Sequence, residues 1–301
     1  MKISVVGSIN MDMTVKTARI PIKGETVKGE DLTYIPGGKG ANQAVAMAKL
    51  GASVEMFGCV GDDAAGKQLV KNLEQYGIVT KNIKTVKDVP TGVALITVGE
   101  KDNTIVVVAG ANDSVTIPYI DSIKEDLLSS DLVLLQHEIP KDTVQYVIDV
   151  CYKAGIKVIL NPAPARDVRQ EDIEKVAYLT PNEHEAAILF GAENSLEDLV
   201  KAYPEKMIIT MGKEGAIMCG EKGKVITVPA GKAKVVDTTG AGDTLNGAFA
   251  VQIAKGRTME EALRFATTAA SLSTETFGAQ AGMPSYEEVE RMMSNDNCRS
   301  K

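Results

Sequence analysis

Apolar and polar positions follow two different periods along this chain. Unbroken apolar runs recur at 3–7 ("ISVVG"), 53–61 ("SVEMFGCVG"), 131–136 ("DLVLLQ") and 156–161 ("IKVILN"). Between them, "ANQAVAMAKLGA" (41–52), "AAGKQLVKNLEQYG" (64–77) and "TVQYVIDVCYKAG" (143–155) place apolar residues at helical spacing. Runs of the first kind predict strands buried on both faces; the second kind predicts amphipathic helices that cover them. The rhythm continues through "VAYLTPN" (176–182), a helix over 183–190 and the strand "KMIITMG" (206–212). Such alternation predicts an α/β fold, a doubly wound, mostly parallel sheet flanked by helices on both faces.

Two segments break the rhythm. Residues 14–35 contain "ETVKGEDLTYIP", and 91–109 read "TGVALITVGEKDNTIVVVAG", two β-rich runs joined by the polar turn "GEKDN". Neither has a helix beside it. They predict a small separate sheet at the carboxyl edge of the main one, placed to act as a lid, or else a plain edge hairpin. The polar tail "SNDNCRSK" is expected to fray.

With 301 residues, the chain is long enough for two domains or for one α/β domain carrying an insertion. The single-domain reading, 1–301 with the lid inserted, fits the continuous rhythm. A net charge of −7 offers no basic stripe for nucleic acid. Cys59, Cys151, Cys219 and Cys298 have no short spacing, which argues against a zinc knuckle or a redox pair. No signal peptide or apolar run of membrane-spanning length is visible, so a cytoplasmic protein is expected.

In open α/β sheets, ligands bind beyond the carboxyl ends of the strands, so the residues there are the ones to read. "GSINMD" brings Asn10 and Asp12, an amide and a carboxylate able to bracket neighbouring hydroxyls, or simply to form an Asx turn. "PGGKGANQA" has glycines, Gly38 among them, that let backbone approach a ligand, together with Lys39 and Asn42; its spacing is not that of a Walker A loop. Glu138 ends "LLQHEIP", and Asn161 opens "NPAPAR". Asn182 and Glu185 stand three apart at a helix start, fit either to order water around Mg²⁺ or to cap the helix. "TMGKEG" offers Thr210, Gly212 and Gly215 to a polyphosphate. His137 and His184, the two histidines, read as core or surface residues rather than metal ligands.

The stretch "VVDTTGAGDTLNGAF" (235–249) is the most specific. Leu245 replaces the third glycine of a dinucleotide fingerprint, so that reading fails. What remains is a run of amides, Gly240, Ala241 and Gly242, leading to Asp243 at a helix N-terminus, where an anion is favoured. A cap alone would not need both glycines. The helix terminus is expected to keep Asp243 ionised and therefore a weak base, which suffices for phosphoryl transfer.

Together, "GSINMD", "PGGKGANQA", "NPAPAR", "TPNEHEA" and "VVDTTGAGDTLNGA" resemble, in order and over nearly the whole chain, the ribokinase-like, phosphofructokinase-B-type carbohydrate kinases. The resemblance implies ATP-dependent phosphorylation of a sugar, D-ribose at its 5-hydroxyl, with 2-deoxyribose, another sugar or a nucleoside as alternatives. It implies that Asn10, Asp12, Gly38, Lys39, Asn42 and Glu138 hold the sugar. Asp243 would be the base, and Gly240, Ala241 and Gly242 the anion hole. Asn182, Thr210, Gly212 and Gly215 would line the ATP side, with Glu185 placing Mg²⁺. It further implies K⁺ on Asp237, Thr239, Ser273, Thr276, Gly278 and Gly282, and a homodimer joined through the lid. Thr267 and Gly282 depart from residues common in relatives near the adenine and the cation. A sensor that binds sugar without catalysis is the rival of another class, and the intact "TTGAGDT" argues against it.

Overall fold

The computed structural model describes residues 2–100 and 102–299. Lys101, within the expected "GEKDN" turn, lies outside the described residues, as do Met1 and the last two residues of the tail. In chain order the strands are β1 (Lys2–Val6), β2 (Asn10–Thr17), β3 (Gly29–Gly37), β4 (Ser53–Gly61), β5 (Ile83–Val86), β6 (Gly92–Gly99) and β7 (Asp102–Val108). They continue with β8 (Leu132–Gln136), β9 (Lys157–Asn161), β10 (Tyr178–Leu179), β11 (Ile208–Thr210), β12 (Ala216–Cys219) and β13 (Val225–Val228).

The main sheet has the order β10-β9-β8-β1-β4-β5 and every pairing in it is parallel. Because side chains alternate across a strand, Ile3, Val5, Leu132 and Leu134 enter one apolar core while Val6, Val133 and Leu135 enter the other. Helices Lys39–Lys49, Ala241–Ala254 and Met259–Ser273 cover the first face; Lys141–Lys153 and its neighbours cover the second. The predicted doubly wound α/β architecture is what forms. Bridges Leu179↔Met207 and Asn182↔Thr210 extend the sheet into the antiparallel β11-β12-β13 unit, whose last two strands carry no clear sequence signal.

The separate small sheet has the order β3-β2-β6-β7, with β6 and β7 forming the expected hairpin and β2 and β6 running parallel. It begins at Asn10 and runs to Gly37, wider than the predicted 14–35. Asn10 and Asp12 therefore sit on its first strand rather than in an Asx turn. The tail also differs from expectation, since the last helix runs Tyr286–Arg299. Ser285 and Glu288 form a reciprocal cap at its start, and buried Val289 anchors it to the core.

Candidate active site

The switch point of the sheet lies between β1 and β8, whose chains leave in opposite directions. There the N-terminus of helix Lys39–Lys49 has no side-chain cap of its own. Its amides are satisfied from across the sheet. Glu138 Oε2 accepts from Lys39 N at 3.0 Å and from Ser8 Oγ at 2.5 Å, while Ser8 Oγ accepts from Gly40 N at 3.2 Å. A Cβ on Gly40 would stand 2.6 Å from Ser8 N, so the close approach requires glycine. Gly38, with φ of 87°, is the left-handed entry to the helix.

Asn10, 3% exposed, accepts from Asn112 Nδ2 at 2.7 Å, and Asn112 Oδ1 in turn accepts from Ile9 N at 2.9 Å. The Asp12 carboxyl is pushed up to about 7 by burial, with Glu138 and Asp243 adding like charge. Three carboxylates thus converge beneath the small sheet.

Asp243 lies in the first turn of helix Ala241–Ala254, 7% exposed. Its Oδ2 accepts from Asn42 Nδ2 and its Oδ1 from Gln43 Nε2, both at 3.0 Å. Burial pushes its carboxyl above the usual range, although Lys39 and the two carboxamides pull the other way. The helix terminus expected to favour the ionised form is therefore not the only influence on Asp243, since loss of solvent opposes that form. Lys39 feels the converse. Burial works against its ammonium, yet Asp243, Glu138 and Glu185 more than offset that and hold its pKa above the ordinary value.

A polar cleft of about 120 Å³ opens beside Asp243, lined by Lys39, Asn182, Glu185, Thr210 and Gly242 among others. A Cβ built on Gly242 would meet nothing within 4 Å, and its φ is not positive. The fold therefore does not require glycine there, whereas a ligand approaching the helix amides would. On the other side of the same helical turn, a mostly apolar pocket of about 570 Å³ is lined by Gly212, Gly215, Val235, Ala241, Leu245 and Thr267. The Thr267 hydroxyl donates to Arg264 O at 3.1 Å, so its proton is engaged within its own helix.

Asn182 and Glu185 form a reciprocal capping box, with bonds of 2.8 and 2.9 Å, so the cap reading holds while both residues also line the cleft. Glu185 is raised by burial. Asp237 accepts from Thr239 N, Thr239 Oγ1 and Gly278 N, which ties two loops together. A Cβ on Gly282 would lie 2.2 Å from Ser273 O and 3.2 Å from Thr276 O, so two carbonyls converge there and glycine is required. His137 is buried and held neutral, its pKa pushed down to about 3 chiefly by burial, and His184 is exposed. Among the described residues, no group of three or more His, Cys, Asp or Glu side chains is placed to hold a metal.

The structure brings Asn10, Asp12, Glu138, Lys39 and Asp243 together, and it groups Asn182, Glu185, Thr210 and Gly242 beside them. Gly212 and Gly215 belong instead to the apolar pocket. Asn42 spends its carboxamide on Asp243 and Gln280. Sequence reasoning missed Gln43, Asn112 and Gln280. Gln43 stood inside "PGGKGANQA", next to Asn42, but the other two had no local signal.

The sequence profile described as "pfkB family carbohydrate kinase" matches residues 1–286. Ribokinase of Bacillus subtilis (strain 168) is 49% identical over 292 residues, covering 97% of this chain and 99% of the relative. Ribokinase of Lactococcus lactis is 46% identical over 96% of this chain and 95% of its own length. Among solved structures, Arabidopsis thaliana ribokinase complexed with ribose and ATP superposes with a TM-score of 0.88 at 34% identity, covering 96% of this chain and 97% of that one.

Proposed function

The chain belongs to the pfkB family of carbohydrate kinases, and we propose that it transfers the γ-phosphoryl group of ATP to the 5-hydroxyl of D-ribose, yielding D-ribose 5-phosphate and ADP. The observation that carries the assignment of roles is the position of Asp243, between the acidic group under the small sheet and the cleft at the Gly240–Gly242 amides. Asn10, Asp12 and Glu138 would hold the sugar, with Lys39 shared between sugar and phosphate. The apolar pocket has the volume and lining for the adenine end of ATP, and the polar cleft suits its phosphates.

The chemistry follows from the charges. Asp243, its carboxyl raised by burial yet still engaged by Lys39, Asn42 and Gln43, accepts the proton of the 5-hydroxyl. The sugar oxygen then forms its bond to the γ-phosphorus as the bond to ADP breaks. Charge on the transferring group meets the helix amides and the Lys39 ammonium. Closure of the small sheet as a lid would exclude water, the competing acceptor, and the whole chain, 1–301, would form one catalytic unit with that lid inserted.

Two ions fit the residues present. Half-buried Glu185, with Asn182, would hold Mg²⁺ through its water shell, supplying charge neutralisation at the phosphates. The carbonyls of Ser273 and Thr276, with Asp237, Thr239, Gly278 and Gly282, make an oxygen-rich loop suited to K⁺, which would add positive potential behind the anion hole. A homodimer through the lid is supported by its exposed apolar residues Leu32, Tyr34, Leu95, Val106 and Val108. No helix among the described residues is long and apolar enough to cross a membrane, and three buried thiols are unpaired, which suits a cytoplasmic enzyme.

Asp243→Ala tests the reading. Ribose binding by calorimetry should persist while ADP release falls by on the order of 10²-fold or more. Near-parental turnover would remove Asp243 from the role of base. ADP release across pentoses, 2-deoxyribose, hexoses and nucleosides, in K⁺ and in Na⁺, should favour D-ribose with K⁺; a stronger response to another acceptor would shift the substrate assignment.

A further inference from the structure

Both oxygens of Asp243 are held by carboxamides, and each carboxamide is itself held by another. On one side, Asn72 Nδ2 donates to Gln280 Oε1 at 2.8 Å, and Gln280 Nε2 donates to Asn42 Oδ1 at 3.0 Å. Asn42 Nδ2 then donates to Asp243 Oδ2 at 3.0 Å. On the other, Gln136 Nε2 donates to Gln43 Oε1 at 2.6 Å. Gln43 Nε2 donates to Asp243 Oδ1 at 3.0 Å and to Asn161 Oδ1 at 3.1 Å. Asn42, Gln43, Gln136, Gln280 and Asn161 are all buried.

A carboxamide is nearly symmetric in shape but opposite in polarity at its two ends. Facing a buried carboxylate, the correct end attracts and the wrong end repels, so something must fix which end faces inward. In both chains that is done by a donor placed on the far oxygen. Gln43 has its oxygen and both polar directions of its amide nitrogen engaged, so it cannot turn over without breaking all three bonds. Asn42 is fixed only through Gln280. Gln280 lies in the short helix Ala279–Gly282, and a Cβ on Gly240 would stand 2.7 Å from Ala279 Cβ. The segment that orients Asn42 therefore also packs against the start of the anion cradle.

We propose that Gln280, braced by Asn72, is a positioning residue for phosphoryl transfer: by locking the Asn42 carboxamide it keeps a donor on Asp243 and couples the base to the turn that supports the Gly240–Gly242 amides. The Gln43–Gln136 pair performs the matching task on the other oxygen. Neither Gln280 nor Asn72 is among the residues assigned to the substrate. This inference rests on Asp243 being the base.

The test is Gln280→Met, which keeps volume and removes the donor. Turnover should fall roughly 10- to 100-fold, the scale of a lost hydrogen bond to a charged group, with ribose affinity by calorimetry within about threefold of the parent. Donors to the carboxylate favour its ionised form, so their loss raises its pKa, and the acid limb of the kcat/KM profile should move to higher pH. Lys39, Glu138, Asp12 and Glu185 also face Asp243 and are unchanged in the variant. Parental turnover and an unmoved acid limb would overturn the proposal. So would a joint loss of stability, affinity and turnover with the limb unmoved, which is the mark of a merely structural residue. If Gln280→Met does not fold, Asn72→Leu takes its place with a smaller change of the same kind expected, and no change in turnover or pH limb is the contrary result. Asp243→Asn separates the two readings. An inactive Asp243→Asn beside a normal Gln280→Met defeats this inference alone, whereas an active Asp243→Asn defeats the assignment beneath it.

Discussion

The charge on Asp12 is set by its neighbours more than by its own chemistry. Its carboxyl, ordinarily near 3.8, rises to about 7 because it is buried beside Glu138 and Asp243. A pKa raised on folding gives stability that is full below the unfolded value and lost as pH rises through the folded one. The ligand-free protein should therefore lose stability from about pH 4 to pH 7 on account of this group. Asp12→Asn should match the parent near pH 4 and exceed it at pH 8 by roughly 1–3 kcal/mol in urea unfolding, while ribose affinity falls. Equal pH dependence in both proteins would show that the acidic group is not strained. Residues of this kind were readable from sequence in type but not in state. Asp12 stands out after an apolar strand and Asp243 beside its glycines, yet the shift of each also depends on groups more than a hundred positions away. Asn112 and Gln280 are invisible for the same reason: each is an ordinary polar residue until the fold brings it to a partner across the chain.

Elements fared better where burial was one-sided or complete. β4 and the helix Glu183–Phe190 occupy the spans that their apolar patterns predict. β10 shrinks to Tyr178–Leu179 because Pro181 follows, and β12 and β13 escape notice because four-residue strands leave too little pattern. The small sheet began four residues earlier than predicted, since polar Asn10 and Asp12 hide a strand whose one face serves the site. Register puts Leu32, Tyr34, Leu95, Val106 and Val108 on the face opposite Asn10 and Asp12, and all five are exposed. Such a patch on an edge sheet invites association. Val106→Asp should convert a dimer into monomer in sedimentation velocity without lowering the unfolding temperature of the main body. A parental sedimentation coefficient would place any dimer elsewhere.

Across the whole molecule, the main sheet supplies rigidity and its switch point supplies the site. The net charge of −7 does not oppose nucleotide binding, because the local field is what matters: helix amides and Lys39 face the cleft, while acids gather beneath the small sheet. The fold class was legible because a parallel sheet writes continuous apolar runs. The loop proposed for K⁺ was suggested only by the resemblance, since carbonyl oxygens leave no mark in sequence. If the Asp237 loop holds K⁺, exchanging K⁺ for Na⁺ should lower turnover several-fold, and Asp237→Ala should erase the difference between the two ions. Equal rates in both ions for the parent would remove the cation from the account.

The chemistry proposed for this chain stands or falls on where one acid points when both substrates are bound. A crystal structure with D-ribose and a non-hydrolysable ATP analogue should place an Asp243 oxygen about 3 Å from the 5-hydroxyl, with the γ-phosphate on the Gly240–Gly242 amides. An Asp243 carboxylate turned away from the sugar, with the phosphate bound elsewhere, would contradict it.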